Sequence, residues 1–343
     1  MRWAVILAGG SGTRFWPLSS PTLPKQLLPL AGPQSTAEAA FERLRGLVPP
    51  ERVLLVTGPK LAGPIQAKLG IPTENVLVEP EAKSTGPALV WGTSVAKARD
   101  PEAVVLSTHA DWHVPDQGGF VRTADSALAV AERTGRLVTV GVVPNRPETG
   151  YGYLVPGAPV PGGFAVALFK EKPTLAGATK LIAEGAFWNS GLFAWRADVF
   201  LAEVERHCLE IAPALPALAQ GDLVRFFRDC REVSVDVGVL ERSAEVVVVP
   251  GAFAWDDVGT WEALLRVRPL DSNGNALVGA VTAVGASDSI AWSETIPIVL
   301  AGVHNLVVVE ANGRILVMHR SQASDLKRVL EKLPTAIREI AGV

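Results

Sequence analysis

The sequence predicts an α/β fold: a mainly parallel sheet with helices packed on both faces, followed by a small β-rich region that ends in a helix. Three observations lead there. Through the first half, short apolar runs alternate with stretches of helical apolar spacing. Those runs are near-continuous rather than alternating with polar residues, the pattern of strands buried on both faces. After Arg268-Pro269-Leu270 the texture changes to short Val/Ala/Gly strands.

Trp3–Ala8 reads as the first buried strand and breaks directly into Gly9-Gly10-Ser11-Gly12-Thr13-Arg14, then Pro17-Leu18-Ser19, Pro21 and Pro24-Lys25. A helical pattern at Ala37–Leu47 precedes the strand Val53–Thr57. The short run Val76–Val78 leads into a helix over Pro87–Arg99 and a strand over Val104–Ser107. Phe120–Arg133 reads as a helix and Leu137–Val143 as a strand. In the middle, Gly150–Tyr153 and Phe164–Lys172 read as strands bracketing a glycine-rich loop, Pro156–Gly163. Helical segments at Ala197–His207 and Gly221–Arg228 are joined by the Pro/Ala-rich Ile211–Gln220. Asn312-Gly313 between Leu306–Glu310 and Arg314–His319 is a type I′ hairpin signal, because both central positions need a left-handed backbone. Ala323–Ile340 has helical spacing interrupted by Pro334. The expected division is a domain over 1–270 and a small domain over 271–343, with no internal repeat evident.

Composition narrows the function classes. Hydrophobic content of 48% with 20% charged residues fits a compact chain. A net charge of −3 argues against nucleic-acid or membrane-surface binding, which needs a basic excess. The first apolar run is too short for a signal peptide, and no run approaches the ~18 apolar residues of a membrane span. A cytoplasmic protein is expected. Cys208 and Cys230 have neither metal-ligand spacing nor the density of a disulfide scaffold, so two buried free thiols are expected.

The chemistry concentrates in the first loop. Glycines after a buried strand expose backbone N–H groups to an anion, with no Cβ in the way. Arg14 and Lys25 add two positive charges. No Gly-Lys-Ser/Thr follows, so the loop is not a P-loop. Phe15 stands where the dinucleotide fingerprint needs its third glycine. What remains is a long, proline-stiffened loop delivering Arg14 and Lys25 to one anion.

The run GGSGTRFWPLSSPTLPK resembles the signature of the sugar-phosphate nucleotidylyltransferases, which make nucleotide sugars and release pyrophosphate. Similarity runs from Met1 to about Leu270, and the resemblance implies a Rossmann-like, nucleotide-diphospho-sugar transferase fold. Trp188-Asn189-Ser190-Gly191 is similar to the mannose-1-phosphate guanylyltransferase branch. The implied reaction is GMP transfer from GTP to mannose 1-phosphate. Glucose-1-phosphate uridylyl- or thymidylyltransferase is the alternative, and a catalytically silent nucleotide-sugar sensor is the alternative of another class. The sugar phosphate is already an anion near pH 7, since the second pKa of a phosphate monoester is about 6. The protein should therefore supply cations, Mg²⁺ and alignment rather than a base.

Site residues follow from the resemblance. Arg14 and Lys25 are implied on the triphosphate, with Arg14 stabilising the leaving pyrophosphate. Leu7, Ala8, Gly9, Gly10, Gly12 and Thr13 are implied around the nucleotide. Glu79, Lys83, Thr85 and Gly86 resemble the base-binding segment, although members commonly read Arg-Asn-Thr-Ala there; a helix capped by Ser84 or Thr85 is compatible with that. Asp111 and Asp257, the latter in Trp255-Asp256-Asp257-Val258-Gly259-Thr260-Trp261, are implied as Mg²⁺ ligands. Gly152, Glu171, Lys172 and Asn189 are implied on the sugar phosphate. An Asn amide can both donate to and accept from vicinal hydroxyls. Trp112 follows Asp111 where the family usually has histidine, which leaves the roles of His109 and His113 open; a zinc site is not expected. With the sequence ending at Val343, the extra sugar-isomerase domain that some relatives carry is not expected. The C-terminal region is expected to close the site or to pair subunits into a homodimer.

Overall fold

A computed structural model describes residues 1–338 apart from Ser11, Pro21 and Thr22. It divides into two compact units, and neither is one continuous stretch of chain. Unit one comprises Met1–Gly9, Ala40–Ala110 and Val114–Trp255; unit two comprises Gly10–Ala39, Asp111–His113 and Asp256–Val343. The expected boundary near residue 270 falls inside unit two.

Unit one is a nine-stranded sheet built from β1 (Arg2–Ala8), β2 (Val53–Thr57), β3 (Val76–Val78), β4 (Val104–His109), β5 (Leu137–Val142), β6 (Gly152–Val160), β7 (Gly163–Glu171), β8 (Phe187–Arg196) and β9 (Val246–Pro250), in the order β3-β2-β1-β4-β8-β5-β9-β7-β6. β1 to β4 run parallel, β8 enters antiparallel to both β4 and β5, and β9 is parallel to β5. Only β8 and β7 oppose the common direction, so the mainly parallel expectation holds within a mixed sheet.

Period-two alternation sorts the strand residues between layers. Trp3, Val5 and Leu7 of β1 share a core with the helices Thr85–Arg99 and Ala197–His207. The helix Gln117–Thr134 lies on β4, β5, β8 and β9 from the other side, burying Phe120, Ala124, Ala127 and Ala131. Helix Pro59–Leu69, helix Leu175–Ala183 and strands β8 and β9 are additions to the elements read from sequence. The glycine-rich stretch Pro156–Gly163 differs from expectation. β6 and β7 continue through most of it as a bulged hairpin, because their ladder closes only at Val160–Gly163.

Unit two contains β10 (Ala276–Val278), β11 (Val281–Val284), β12 (Ile290–Ser293), β13 (Ile298–Ala301), β14 (Leu306–Ala311) and β15 (Arg314–His319). β10, β12 and β14 stack in parallel, as do β11 and β13, so successive strands alternate between two sheets as a coil. β14 and β15 form the expected hairpin, with Asn312 and Gly313 at φ 51° and 69°. The final helix is broken at Pro334 into Leu326–Glu331 and Thr335–Arg338, and Ile340 lies outside the described residues. Phe15, Trp16 and Leu18 pack in one core with Trp261, Trp292 and Leu326. The Trp16 indole also donates to the Arg338 carbonyl, 3.2 Å. The glycine-loop segment is thus folded against the chain's own C-terminal region.

Candidate active site

Within unit two the first loop is a tight, built structure. Gly12 sits at φ 60°, and a Cβ there would stand 2.7 Å from the Lys25 backbone nitrogen, so only glycine admits this approach. Single 3-10 turns over Thr13–Phe15 and Lys25–Leu27 flank the approach, and the Ser19 hydroxyl donates to Gly12 O at 2.7 Å. Phe15 is fully buried, edge-on to Trp261 at 5.2 Å, which leaves its neighbours Thr13 and Arg14 exposed. Ser11 and Pro21 lie outside the described residues.

Lys25 is the junction of this unit. Its side chain is nearly buried, and Nζ donates to Asp111 Oδ2 at 2.9 Å and to the Asp257 carbonyl at 2.7 Å. Asp257 Oδ2 and Arg14 Nη1 flank Gly259, lying 2.6 Å and 3.4 Å from the point a Cβ there would occupy. Arg14, Lys25, Asp111 and Asp257 are therefore brought together. Among the described residues no group of three or more His, Cys, Asp and Glu could hold a metal. Two carboxylate residues beside a lysine nevertheless fit Mg²⁺, which keeps several waters and takes one or two carboxylates plus substrate phosphates. They do not fit a structural zinc site.

Unit one holds the other expected residues in two groups. Leu7 and Ala8 end β1 with their carbonyls accepting from Ala110 N–H and the Thr57 hydroxyl, and Gly9 beyond is exposed; Gly10, also exposed, is counted in unit two. Glu79 follows β3, its backbone N–H on Thr57 O, and burial pushes its carboxyl up to about 7. Lys83 pairs with Glu81 at 3.2 Å. The helix does start at Thr85, but Ser84 makes no side-chain cap. Ser84 sits at φ 68°, while Thr85 Oγ1 accepts from Val235 N–H at 3.0 Å. Gly86 N–H donates to Val233 O, tying the helix start to the segment after Cys230.

The second group gathers on β6, β7 and β8. Gly152 is opposite Glu171 in register, and a Cβ on Gly152 would lie 2.5 Å from Glu171 Oε2 and 3.3 Å from Asn189 Cβ. Lys172 stands just past β7 at φ 45°, largely exposed, with Nζ 3.1 Å from Glu171. Asn189 differs from the expectation of an amide open to hydroxyls. Its Oδ1 accepts from Thr139 Oγ1 at 2.8 Å and Gly191 N–H at 3.3 Å, and its Nδ2 donates to Asp236 Oδ1 at 2.7 Å. One Nδ2 hydrogen remains uncommitted by these bonds.

Asp236 is the residue that sequence reading missed. Burial, reinforced by the charge of Glu171, pushes its carboxyl up to about 6. The available signal was an acid inside the apolar run Val235–Leu240, where an unpaired charge would be costly. Beside this group, Tyr151 stands edge-on to Trp188 and Trp255, and Arg146 lies over the Trp188 ring at 4.9 Å. A cavity of ≈ 230 Å³ opens at the ends of β5 and β9, lined by Val142, Asn145, Trp188, Phe253 and Trp255. Cys208 and Cys230 are both buried free thiols, as expected, and burial pushes them up to about 11 and about 12.

A glycine loop opening after the first strand of a mainly parallel sheet, with convergent cations and carboxylates, defines a class that handles phosphate anhydrides. The nucleotidyl transferase family model matches residues 3–273, and the chain belongs to that family. Among its relatives, mannose-1-phosphate guanylyltransferase from Escherichia coli is 35% identical over 350 residues, covering 96% of this chain and 73% of the relative. Xanthan biosynthesis protein XanB from Xanthomonas campestris is 36% identical over 349 residues, covering 98% and 74%. The crystal structure described as mannose-1-phosphate geranyltransferase from Thermus thermophilus superimposes with a TM-score of 0.90 at 33% identity, covering 96% of this chain and 98% of that one. Among the described residues no helix is long and apolar enough to cross a membrane.

Proposed function

We propose that this chain transfers GMP from GTP to mannose 1-phosphate, giving GDP-mannose and pyrophosphate. The observation that carries the reading is Lys25 Nζ held between Asp111 and Asp257, with Arg14 beside Asp257. In-line attack on an α-phosphorus needs no protein base when the nucleophile is a phosphate dianion; it needs the repulsion of two polyanions quenched. Lys25, too buried to be solvated fully, offers its charge to the triphosphate. Arg14 is exposed, and the planar fork of its guanidinium suits two oxygens of the departing pyrophosphate. Asp111 and Asp257 would hold Mg²⁺, which when bound neutralises phosphate charge.

The nucleotide is assigned to Leu7, Ala8, Gly9, Gly10, Gly12, Thr13, Glu79, Lys83, Thr85 and Gly86. Gly152, Glu171, Lys172 and Asn189 are assigned to the sugar phosphate. Asp236 joins them as the group that orients the Asn189 amide. The relatives named for mannose 1-phosphate support the sugar, and the Asn189 network supports a fixed polar wall for its hydroxyls.

A matrix of initial rates tests the reading: GTP, ATP, UTP and dTTP, each with mannose 1-phosphate and glucose 1-phosphate, followed by pyrophosphate release with and without Mg²⁺. The expected outcome is a maximum at GTP with mannose 1-phosphate, dependence on Mg²⁺, and loss in Arg14→Ala. A maximum at UTP or dTTP with glucose 1-phosphate would replace this substrate assignment, and no turnover with any pair would identify a silent binder.

A further inference from the structure

We propose that Asp256 and Arg266 are positioning residues: they hold the turn that aims Asp257 and tie it to the Asp111 segment. This rests on the guanylyltransferase reading above. All the groups involved belong to unit two.

The turn is strained where it matters. Val258, directly after Asp257, sits at φ 46° and is fully buried. A β-branched residue in the left-handed region is a genuine outlier, and such strain persists only where its surroundings over-determine it. Asp256 supplies the over-determination. Its Oδ1 accepts from Val258 N–H at 2.8 Å, closing the turn around Asp257. The same carboxylate is gripped in a fork by Arg266, Nε to Oδ2 at 2.5 Å and Nη2 to Oδ1 at 3.0 Å. Its main chain exchanges both hydrogen bonds with His113, 2.9 Å and 3.0 Å, two residues past Asp111. One residue thereby fixes the backbone beside Asp257 and two residues past Asp111, the two partners of Lys25.

The geometry also separates positioning from ligation. Both Asp256 oxygens are committed to Arg266 and Val258, and the side chain is only 9% exposed. Asp256 is therefore assigned to positioning, with Asp111 and Asp257 left as the proposed ligands. Partners of this kind matter because a displacement of about 1 Å at a reacting centre costs ~100-fold in rate.

The experiment compares Asp256→Ala, Asp256→Asn and Arg266→Lys with the parent chain. It records kcat and KM for each substrate, thermal melting, and Mn²⁺ binding by electron paramagnetic resonance with a non-hydrolysable GTP analogue, where no turnover occurs. Asp256→Ala is expected to lose ~100-fold in kcat and ~10-fold in Mn²⁺ affinity, with KM for mannose 1-phosphate unchanged. Asp256→Asn keeps an acceptor for Val258 N–H and should recover most of both losses. Arg266→Lys, with one donor in place of a fork, should fall between them. A folded Asp256→Ala with parental kcat and Mn²⁺ affinity overturns the proposal, even if its melting temperature drops. Should Asp256→Ala fail to fold, the other two variants decide by the same readouts: parental values in both overturn it, and weakened Mn²⁺ binding in a folded variant supports it. A parent chain that binds Mn²⁺ but makes no GDP-mannose defeats the functional reading instead, leaving positioning to be judged on Mn²⁺ alone.

Discussion

Lys25 and Glu79 illustrate how single residues acquire unusual chemistry from burial. Lys25 lies in a nearly closed setting, with Nζ shared between Asp111 and the Asp257 carbonyl. Lys25→Met should lower kcat by ~10²–10³-fold, the range for removing one preorganised electrostatic donor, as read by pyrophosphate release. Its melting temperature should move little, since Asp111 is 31% exposed and can be hydrated. Glu79 takes up its proton at about 7 because burial disfavours its charge. If its carboxylate accepts from the guanine base, KM for GTP should rise as pH falls through about 7 and stay flat in Glu79→Gln. The stability sign is opposite to that of a salt-bridged acid. The folded state binds the proton more tightly, so stability declines as pH rises from 4.5 to about 7.

At the scale of elements, Asn312 and Glu310 are two of the side chains that fasten the region of β10 to β15. Asn312, at φ 51° in the hairpin turn, donates from Nδ2 to Pro17 O at 2.9 Å, joining the hairpin to the glycine-loop segment. Asn312→Ala should lose both the tolerance of that conformation and the bond, about 1–2 kcal/mol by thermal denaturation. Glu310 is buried on β14 and accepts from the backbone N–H groups of Glu294, Thr295 and Ile296 and from the Thr295 hydroxyl. Those donors hold its carboxyl down at about 2. This stabilisation is complete above 4.5 and lost as pH falls to about 2. Acid unfolding of Glu310→Gln should begin from a lower stability and show a shallower pH dependence over that interval.

For the whole molecule, the consequence lies in how the chain is partitioned. Gly10–Ala39 and the C-terminal segment belong to one compact unit, so residues far apart in sequence share a core. A chain ending at residue 270 would keep Arg14, Lys25, Asp111 and Asp257. It would expose Phe15, Trp16 and Leu18, which pack on Trp292 and Leu326. Such a truncation is expected to lose GDP-mannose formation and to aggregate, as seen by size-exclusion chromatography and turnover. An active, monodisperse 1–270 fragment would instead make the C-terminal coil dispensable to the loop.

Much of this was legible along the chain because it is local. Buried strands announce themselves by apolar runs, and β2 and β3 match their expected limits. Asn312-Gly313 specifies its turn by backbone preference alone. The glycine-loop, Asp111 and Asp257 motifs were legible through family resemblance, and the nearest geometric support for them is Lys25. What the sequence determined by itself was therefore the α/β class, the order of most elements and the candidate charges. Tertiary structure alone decided the antiparallel insertion of β8, the alternation of β10 to β14 between two sheets, and the hydrogen-bond partners of Asp236, Asp256 and Arg266. Each of those depends on partners distant in sequence or on a buried environment, and neither periodicity nor motif spacing encodes which buried donor will meet which acceptor.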